Sequence, residues 1–156
     1  MNVKQVFKLF ICVLIPLSIG GISGYITSAQ IPTWYTTLVK PGFNPPNAVF
    51  GPVWTMLYLL MGISLYIVTN VTSQHKKVAL ILFFIQLVLN FFWSIIFFNR
   101  HAIGLAAIEI ILLWFCIILM IFHIYKISRW AALMNLPYLL WVSFATILNV
   151  SIYVLN

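Results

Sequence analysis

Amide and aromatic side chains recur at helical spacing within a long apolar stretch of the chain. Gln86, Asn90, Trp93 and Phe97 follow one another at intervals of four, three and four residues, so they share one helix face. Polar groups inside lipid-soluble helices are rare and mark functional sites by default. Rings beside a few amides would suit a planar apolar ligand that is stacked on the rings and oriented by hydrogen bonds.

Two further stretches carry faces of the same kind. They contain Phe50, Trp54, Tyr58 and Met61, and Tyr138, Trp141, Ala145, Leu148 and Asn149. Ordinary packing explains each face alone, because Asn and Gln often bridge helices in membranes. At about 1.5 Å per residue, however, these groups lie at the midplane or in the outer half of their spans. Their shared depth favours a cavity on the outer side.

The composition requires a bilayer around these faces. The 156 residues are 64% hydrophobic and 6% charged, with a mean hydropathy of +1.13. Soluble domains are about 25% charged. Apolar runs of about 20 residues, each long enough to cross a hydrocarbon core of about 30 Å, lie near 6–27, 47–69, 77–98, 103–124 and 130–154. These runs predict an all-α membrane protein, a single domain over 1–156 that folds as a five-helix bundle with a long loop between helices 1 and 2.

The basic residues indicate the orientation of the bundle. Six of them fall on the side of the N-terminus, namely Lys4, Lys8, Lys76, Lys77, Lys126 and Arg129. Lys40 and Arg100 fall on the other side. The positive-inside rule then predicts a multi-pass protein of the cell membrane, with the N-terminus inside and the C-terminus outside. Because the net charge of +7 is split among span ends, it favours anionic headgroups over nucleic acid.

The segment 28–46 is the longest connection, and it is stiff and aromatic. Pro32, Pro41, Pro45 and Pro46 interrupt helix, while Trp34, Tyr35 and Phe43 supply apolar surface. A flexible linker would instead be rich in Gly and Ser. The composition predicts a lid over the cavity, and an aromatic belt at the membrane surface is the alternative for Trp34 and Tyr35.

The residues that usually carry catalysis or bind metals form no recognisable site. The three histidines, His75, His101 and His123, fall at span ends, and Cys12 and Cys116 lie in separate apolar runs. We therefore expect no metal site and no cofactor, and no acid–base or nucleophilic constellation is visible.

Glu109 is the only acidic residue of the chain. A carboxyl group in lipid must be neutral or paired. Glu109 is therefore a structural acid, a ligand contact or a proton-coupled group, and Arg100 on the same side is a candidate partner.

Gly20 and Gly24 form a small-xxx-small pair. Such pairs let helices approach closely, either within one subunit or across a dimer seam.

Motifs along most of the chain resemble bacterial members of the TspO/translocator-protein family, also called tryptophan-rich sensory proteins or peripheral benzodiazepine receptors. The resemblance rests on Trp34-Tyr35, Lys40-Pro41, Pro45-Pro46, Gly51-Pro52-Val53-Trp54, Leu57-Tyr58, Gln86-Leu87, Leu89-Asn90, Trp93-Ser94, Pro137-Tyr138-Leu139, Trp141, Phe144-Ala145-Thr146 and Leu148-Asn149. Glu109 stands where many members carry an aspartate. The cholesterol-recognition pattern of animal members is incomplete here, because no Lys or Arg follows Tyr153.

The resemblance implies a homodimer with a pocket for protoporphyrin IX and for isoquinoline carboxamide or benzodiazepine ligands. The resemblance and the helix faces together select nine candidate ligand-binding residues: Tyr35, Pro46, Trp54, Asn90, Trp93, Phe97, Trp141, Ala145 and Leu148. Trp54 and Trp141 match tryptophans implicated in light-dependent porphyrin degradation. The leading hypothesis is a membrane tetrapyrrole-binding protein that senses, scavenges or photo-oxidises its ligand. The alternative is a transporter of porphyrins or other lipophiles, although no inverted repeat is visible.

Overall fold

A computed structural model describes residues 2–156, and every regular element in that range is helical. The α-helices are α1 (Val3–Gln30), α2 (Asn47–Asn70), α3 (Lys76–Ser94), α4 (Ile103–Tyr125), α5 (Arg129–Leu133) and α6 (Leu136–Leu155). Five spans are long and apolar enough to cross a membrane: α1, α2, α3 with the turn that follows it, α4, and α5 together with α6. The predicted all-α bundle with five membrane spans is confirmed.

The first helix is longer than its apolar run. It ends at Gln30, so the connection to α2 is 31–46 and not 28–46. The polar residues at this end remain helical because their hydroxyls donate to the helix's own carbonyls: Thr27 Oγ1 to Ser23 O at 2.8 Å and Ser28 Oγ to Tyr25 O at 2.8 Å. The predicted loop 28–46 therefore began too early, because Ser28 is still helical.

The fifth span contains a break that hydropathy does not reveal. Helix α5 ends at Leu133 and α6 begins at Leu136. At the break, Asn135 Nδ2 donates to Ala131 O and to Ser64 Oγ, both at 2.8 Å, and Ser64 Oγ donates to Ala131 O at 2.9 Å. Side chains from two spans thus satisfy backbone that would otherwise be unpaired in lipid.

The third span ends in a wider turn. After Ser94 the chain continues as a π-helical turn, Ile95–Asn99. Phe97 and Phe98 are both buried there, with 2% and 8% of their surface exposed. His101 follows with a φ of 55°, which reverses the chain toward α4.

The helices pack as a closed ring rather than in chain order. Helix α1 packs on α2 and α3, α3 packs on α4, and α4 packs on α6, while α5 contacts α2. Helices α1 and α2 approach closely at Gly62, where a Cβ atom would lie 2.9 Å from Cys12 O. This ring leaves the faces predicted from the sequence directed at a shared interior.

The end of the bundle that carries most basic residues is tied together by hydrogen bonds. Lys8 Nζ donates to Asn70 Oδ1 at 2.8 Å, and Lys76 Nζ donates to Thr69 O at 2.7 Å. The start of α1, the end of α2 and the start of α3 therefore share one end of the molecule. The segment 31–46 lies at the opposite end.

Candidate functional site

A cavity of about 520 Å³ lies between α1, α2, α3 and α6 at the end covered by segment 31–46. Its size falls in the range of about 300–1,000 Å³ that is usual for small-molecule sites. The helix faces singled out by spacing supply most of its wall. Eight candidate residues line it: Tyr35, Trp54, Asn90, Trp93, Phe97, Trp141, Ala145 and Leu148.

Pro46 is the candidate that does not line the cavity. It is exposed and directly precedes α2, with a φ of −56° and an extended ψ of 140°. The next residue, Asn47, lines the cavity instead. The proline sets where the helix begins, since its fixed φ suits a helix start, and the helix then directs the following side chain inward.

Aromatic rings form opposing walls of the cavity. Trp54 stacks on Tyr58 with ring centroids 5.4 Å apart, and Trp93 stacks on Phe97 at 5.3 Å. On the side of α6, Trp141 meets Phe50 edge to face at 5.8 Å. Each ring is held by a neighbouring ring, so the apolar surfaces are preorganised before any ligand arrives.

A chain of hydrogen bonds fixes the floor of the cavity. The Tyr58 hydroxyl donates to Asn90 Oδ1. Asn90 Nδ2 donates to the Tyr138 hydroxyl at 3.3 Å, which in turn donates to Gln86 Oε1 at 2.8 Å. Tyr138 and Gln86 are fully buried beneath the cavity. Gln86 therefore supports Asn90 from the core, although the two residues share one face of the sequence pattern.

Four of the five tryptophans of the spans, all but Trp130, differ in how their indole N–H groups are used. Trp93 Nε1 donates to Asn149 Oδ1 at 3.0 Å, and Trp114 Nε1 donates to Ser143 Oγ at 2.7 Å. Trp54 and Trp141 line the cavity, and their N–H groups find no acceptor within residues 2–156. Neither nitrogen is among the buried unpaired atoms of the described residues, so both N–H groups remain accessible.

Segment 31–46 covers the cavity through Tyr35, which is buried. The Tyr35 hydroxyl donates to Asn44 Oδ1 at 2.8 Å, and Lys40 Nζ lies 4.6 Å from the centre of the Tyr35 ring. Burial raises the pKa of the Tyr35 phenol, and the hydrogen bond with Asn44 opposes this effect. The phenol therefore stays neutral and keeps donating at physiological pH.

Two further contacts fasten the same segment to the bundle. The Trp34 ring stacks on His101 with centroids 4.2 Å apart and an interplanar angle of 11°. Val39 N donates to Asn156 Oδ1, and Asn156 Nδ2 donates to Val39 O, both at 3.0 Å. His101 falls at a span end in the sequence, and its stack with Trp34 gives it a specific partner.

Comparison with known proteins agrees with this architecture. The model of the TspO/MBR family matches residues 12–155. The chain belongs to the TspO/MBR family. It is similar to the tryptophan-rich protein TspO of Archaeoglobus fulgidus, with 43% identity over 152 residues, which are 97% of this chain and 99% of that protein.

Other members of the TspO/MBR family are similar over most of their length. The tryptophan-rich protein TspO of Chlorobaculum tepidum is 40% identical over 155 residues, covering 98% of each chain. The translocator protein of Homo sapiens is 35% identical over 123 residues, covering 77% of this chain and 73% of that protein.

Glu109 of this TspO/MBR chain lies outside the cavity wall. It is 8% exposed, and neither carboxylate oxygen has a hydrogen-bond partner in the described part of the chain. The candidate pairing with Arg100 is absent from residues 2–156, and Arg100 is exposed at the end of the π-helical turn. Within the same residues, no three metal-ligating side chains cluster.

The contribution of α1 to the cavity was missed in the sequence. Gly20, Ser23, Gly24 and Thr27 all line it. Gly20 packs against the Tyr58 ring, which a Cβ atom there would overlap, whereas a Cβ atom at Gly24 would meet nothing within 4 Å. The available signal was the run of small residues, but such a run equally suits helix packing. In this TspO/MBR protein Gly20 packs on α2, and Gly24 leaves room beside the cavity.

Proposed function

We propose that this integral membrane protein binds a planar tetrapyrrole such as protoporphyrin IX in the cavity beneath segment 31–46. The observation that carries the proposal is a cavity of about 520 Å³ walled by stacked indole and phenyl rings. Indole and phenyl faces favour flat apolar ligands. Isoquinoline carboxamide and benzodiazepine ligands would compete for the same rings.

Each polar group of the cavity has a role in this proposal. Trp54 and Trp141 would present ring surface and free N–H donors to the macrocycle, and Asn90 would orient it from the floor. None of the described residues that line the cavity carries a charge. The carboxylates of the porphyrin would therefore stay at the mouth, where Lys40 lies over Tyr35, because a carboxylate without a partner is costly to bury.

The proposal includes a homodimer in the cell membrane with the N-terminus inside. The shared end of α1, α2 and α3 that carries Lys8 and Lys76 supports this orientation. The cavity then faces outward. The role would be to sense or scavenge the ligand. Transport is the less favoured alternative, because the segment over the cavity is fastened at Trp34 and at Val39.

A titration of the purified protein with protoporphyrin IX tests the binding proposal. We expect saturable quenching of tryptophan fluorescence with a micromolar Kd, since several indoles lie at or beside the site. Empty detergent micelles containing free tryptophan octyl ester serve as the control for non-specific quenching. Quenching that rises without saturation, as in those micelles, would contradict the proposal.

Light-dependent breakdown of the bound porphyrin is a second candidate function. It is favoured by the unpaired N–H groups and cavity positions of Trp54 and Trp141. Such indoles beside an excited porphyrin can donate electrons in the presence of dioxygen. In an illuminated complex we expect the Soret absorbance to fall several-fold more slowly in the Trp54→Phe/Trp141→Phe variant than in the wild type. Phenylalanine keeps ring surface, so binding persists. Equal rates at equal occupancy would remove the assigned role.

A further inference from the structure

The serine and threonine side chains that line the cavity fall into two groups. Thr27, Ser28 and Thr55 donate to carbonyls of their own helices at 2.8–2.9 Å. Ser23 of α1 and Ser94 of α3 also line the cavity, and within residues 2–156 neither hydroxyl makes a side-chain hydrogen bond; the Ser23 oxygen is in addition a buried atom without a partner. The difference is unexpected, because serines in membrane helices commonly bond a carbonyl one turn back.

Both serine residues are buried, and the Ser23 hydroxyl oxygen is the one of the two that is buried as an atom and has no partner. Ser23 is 5% exposed and Ser94 is 7% exposed. They stand on adjacent helices, since α1 packs on α3 and on the π-helical turn that begins directly after Ser94. Buried polar groups in native proteins nearly always have partners. An acceptor atom on a ligand in the cavity would supply the missing partner to both serines.

The charges around the cavity restrict which acceptor fits. No Asp, Glu, Lys, Arg or His is found among its described lining residues. A carboxylate beside Ser23 would lose its hydration without gaining a cation, which two neutral donors do not offset. An uncharged carbonyl oxygen loses far less hydration and accepts hydrogen bonds from two hydroxyls through its two lone pairs.

We propose that Ser23 and Ser94 form a subsite that binds the uncharged carbonyl oxygen of a planar ligand, as in a ketone, ester or amide. The subsite rests on the cavity being the ligand site of the proposed function, and it does not require that the ligand be a tetrapyrrole. The two serines in the cavity wall select ligands that carry a neutral hydrogen-bond acceptor, whereas the aromatic rings select ligands that are flat.

The test uses two planar probes that differ by one carbonyl group, fluorenone and fluorene. Their affinities for the full-length protein in nanodiscs are each divided by their partition into empty nanodiscs. A net hydrogen bond changes affinity by about two- to tenfold, so we expect the wild type to prefer fluorenone about tenfold. The Ser23→Ala/Ser94→Ala variant should lose this preference while its affinity for fluorene changes less than about twofold.

Ser18→Ala is the matched control, because Ser18 lies on the exposed side of the same helix and outside the cavity. It should retain the wild-type preference for fluorenone. A preference for fluorenone that survives in the Ser23→Ala/Ser94→Ala variant would overturn the proposal. An equal loss of affinity for both probes in that variant, or no binding of either probe to the wild type, would also overturn it. Tighter binding of fluorenone-4-carboxylate than of fluorenone would overturn the requirement for an uncharged acceptor. If protoporphyrin IX did not bind but the wild type still preferred fluorenone, the proposed tetrapyrrole ligand would be rejected and the carbonyl subsite would stand.

Discussion

Replacing Trp141 by alanine is expected to weaken the binding of protoporphyrin IX by about 10- to 100-fold, the effect of losing one aromatic stacking surface. Trp141 lines the cavity and is held against Phe50 at 5.8 Å and Phe144 at 5.6 Å. Its removal takes away ring surface and one of the two free indole donors. The measurement is a titration that follows the Soret band of the porphyrin, because the substitution itself removes a fluorophore.

Trp130→Ala is the matched control for this substitution. Trp130 is 74% exposed on α5, near the basic end of the bundle and away from the cavity. The control loses one tryptophan and should bind the porphyrin as the wild type does. Equal affinities of Trp141→Ala and the wild type would show that the porphyrin binds elsewhere.

Replacing Gly62 by alanine is expected to lower the stability of the bundle by about 1–3 kcal/mol, the usual cost of overpacking. A Cβ atom at Gly62 would lie 2.9 Å from Cys12 O and 3.0 Å from Val13 Cγ2, and closer still to the Val13 Cα atom. Because two of these atoms belong to the backbone of α1, only a displacement of the whole helix relieves the clash. The higher helix propensity of alanine, worth about 1 kcal/mol, offsets part of this cost.

The measurement for Gly62→Ala is the thermal unfolding midpoint of the purified protein in one detergent. Gly21→Ala is the control, since a Cβ atom at Gly21 meets nothing within 4 Å. It should leave the midpoint unchanged or raise it slightly through helix propensity. If Gly62→Ala melted with or above Gly21→Ala, the close approach of α1 and α2 at this position would be refuted.

Local periodicity was sufficient to predict where most cavity residues lie along the chain. Trp54, Asn90 and Trp141 each sit on a face of polar or aromatic residues with a spacing of three or four. Polar side chains within a membrane span almost always face the interior of the bundle, because exposure to lipid is costly. The prediction went wrong at segment ends, where α1 continues through Ser28 to Gln30 and Asn135 lies at a break in the fifth span.

The sequence by itself determined the number of spans and their all-helical structure, because a bilayer demands apolar runs of a set length and excludes unpaired backbone. Only the tertiary structure decided which side chains meet. Trp93 and Trp141 look alike in the sequence and both line the cavity, yet the Trp93 N–H donates to Asn149 and the Trp141 N–H has no acceptor among the described residues. The order of the helices around the ring and the rotation of each about its axis make that difference, and neither is encoded in the spacing along a single helix.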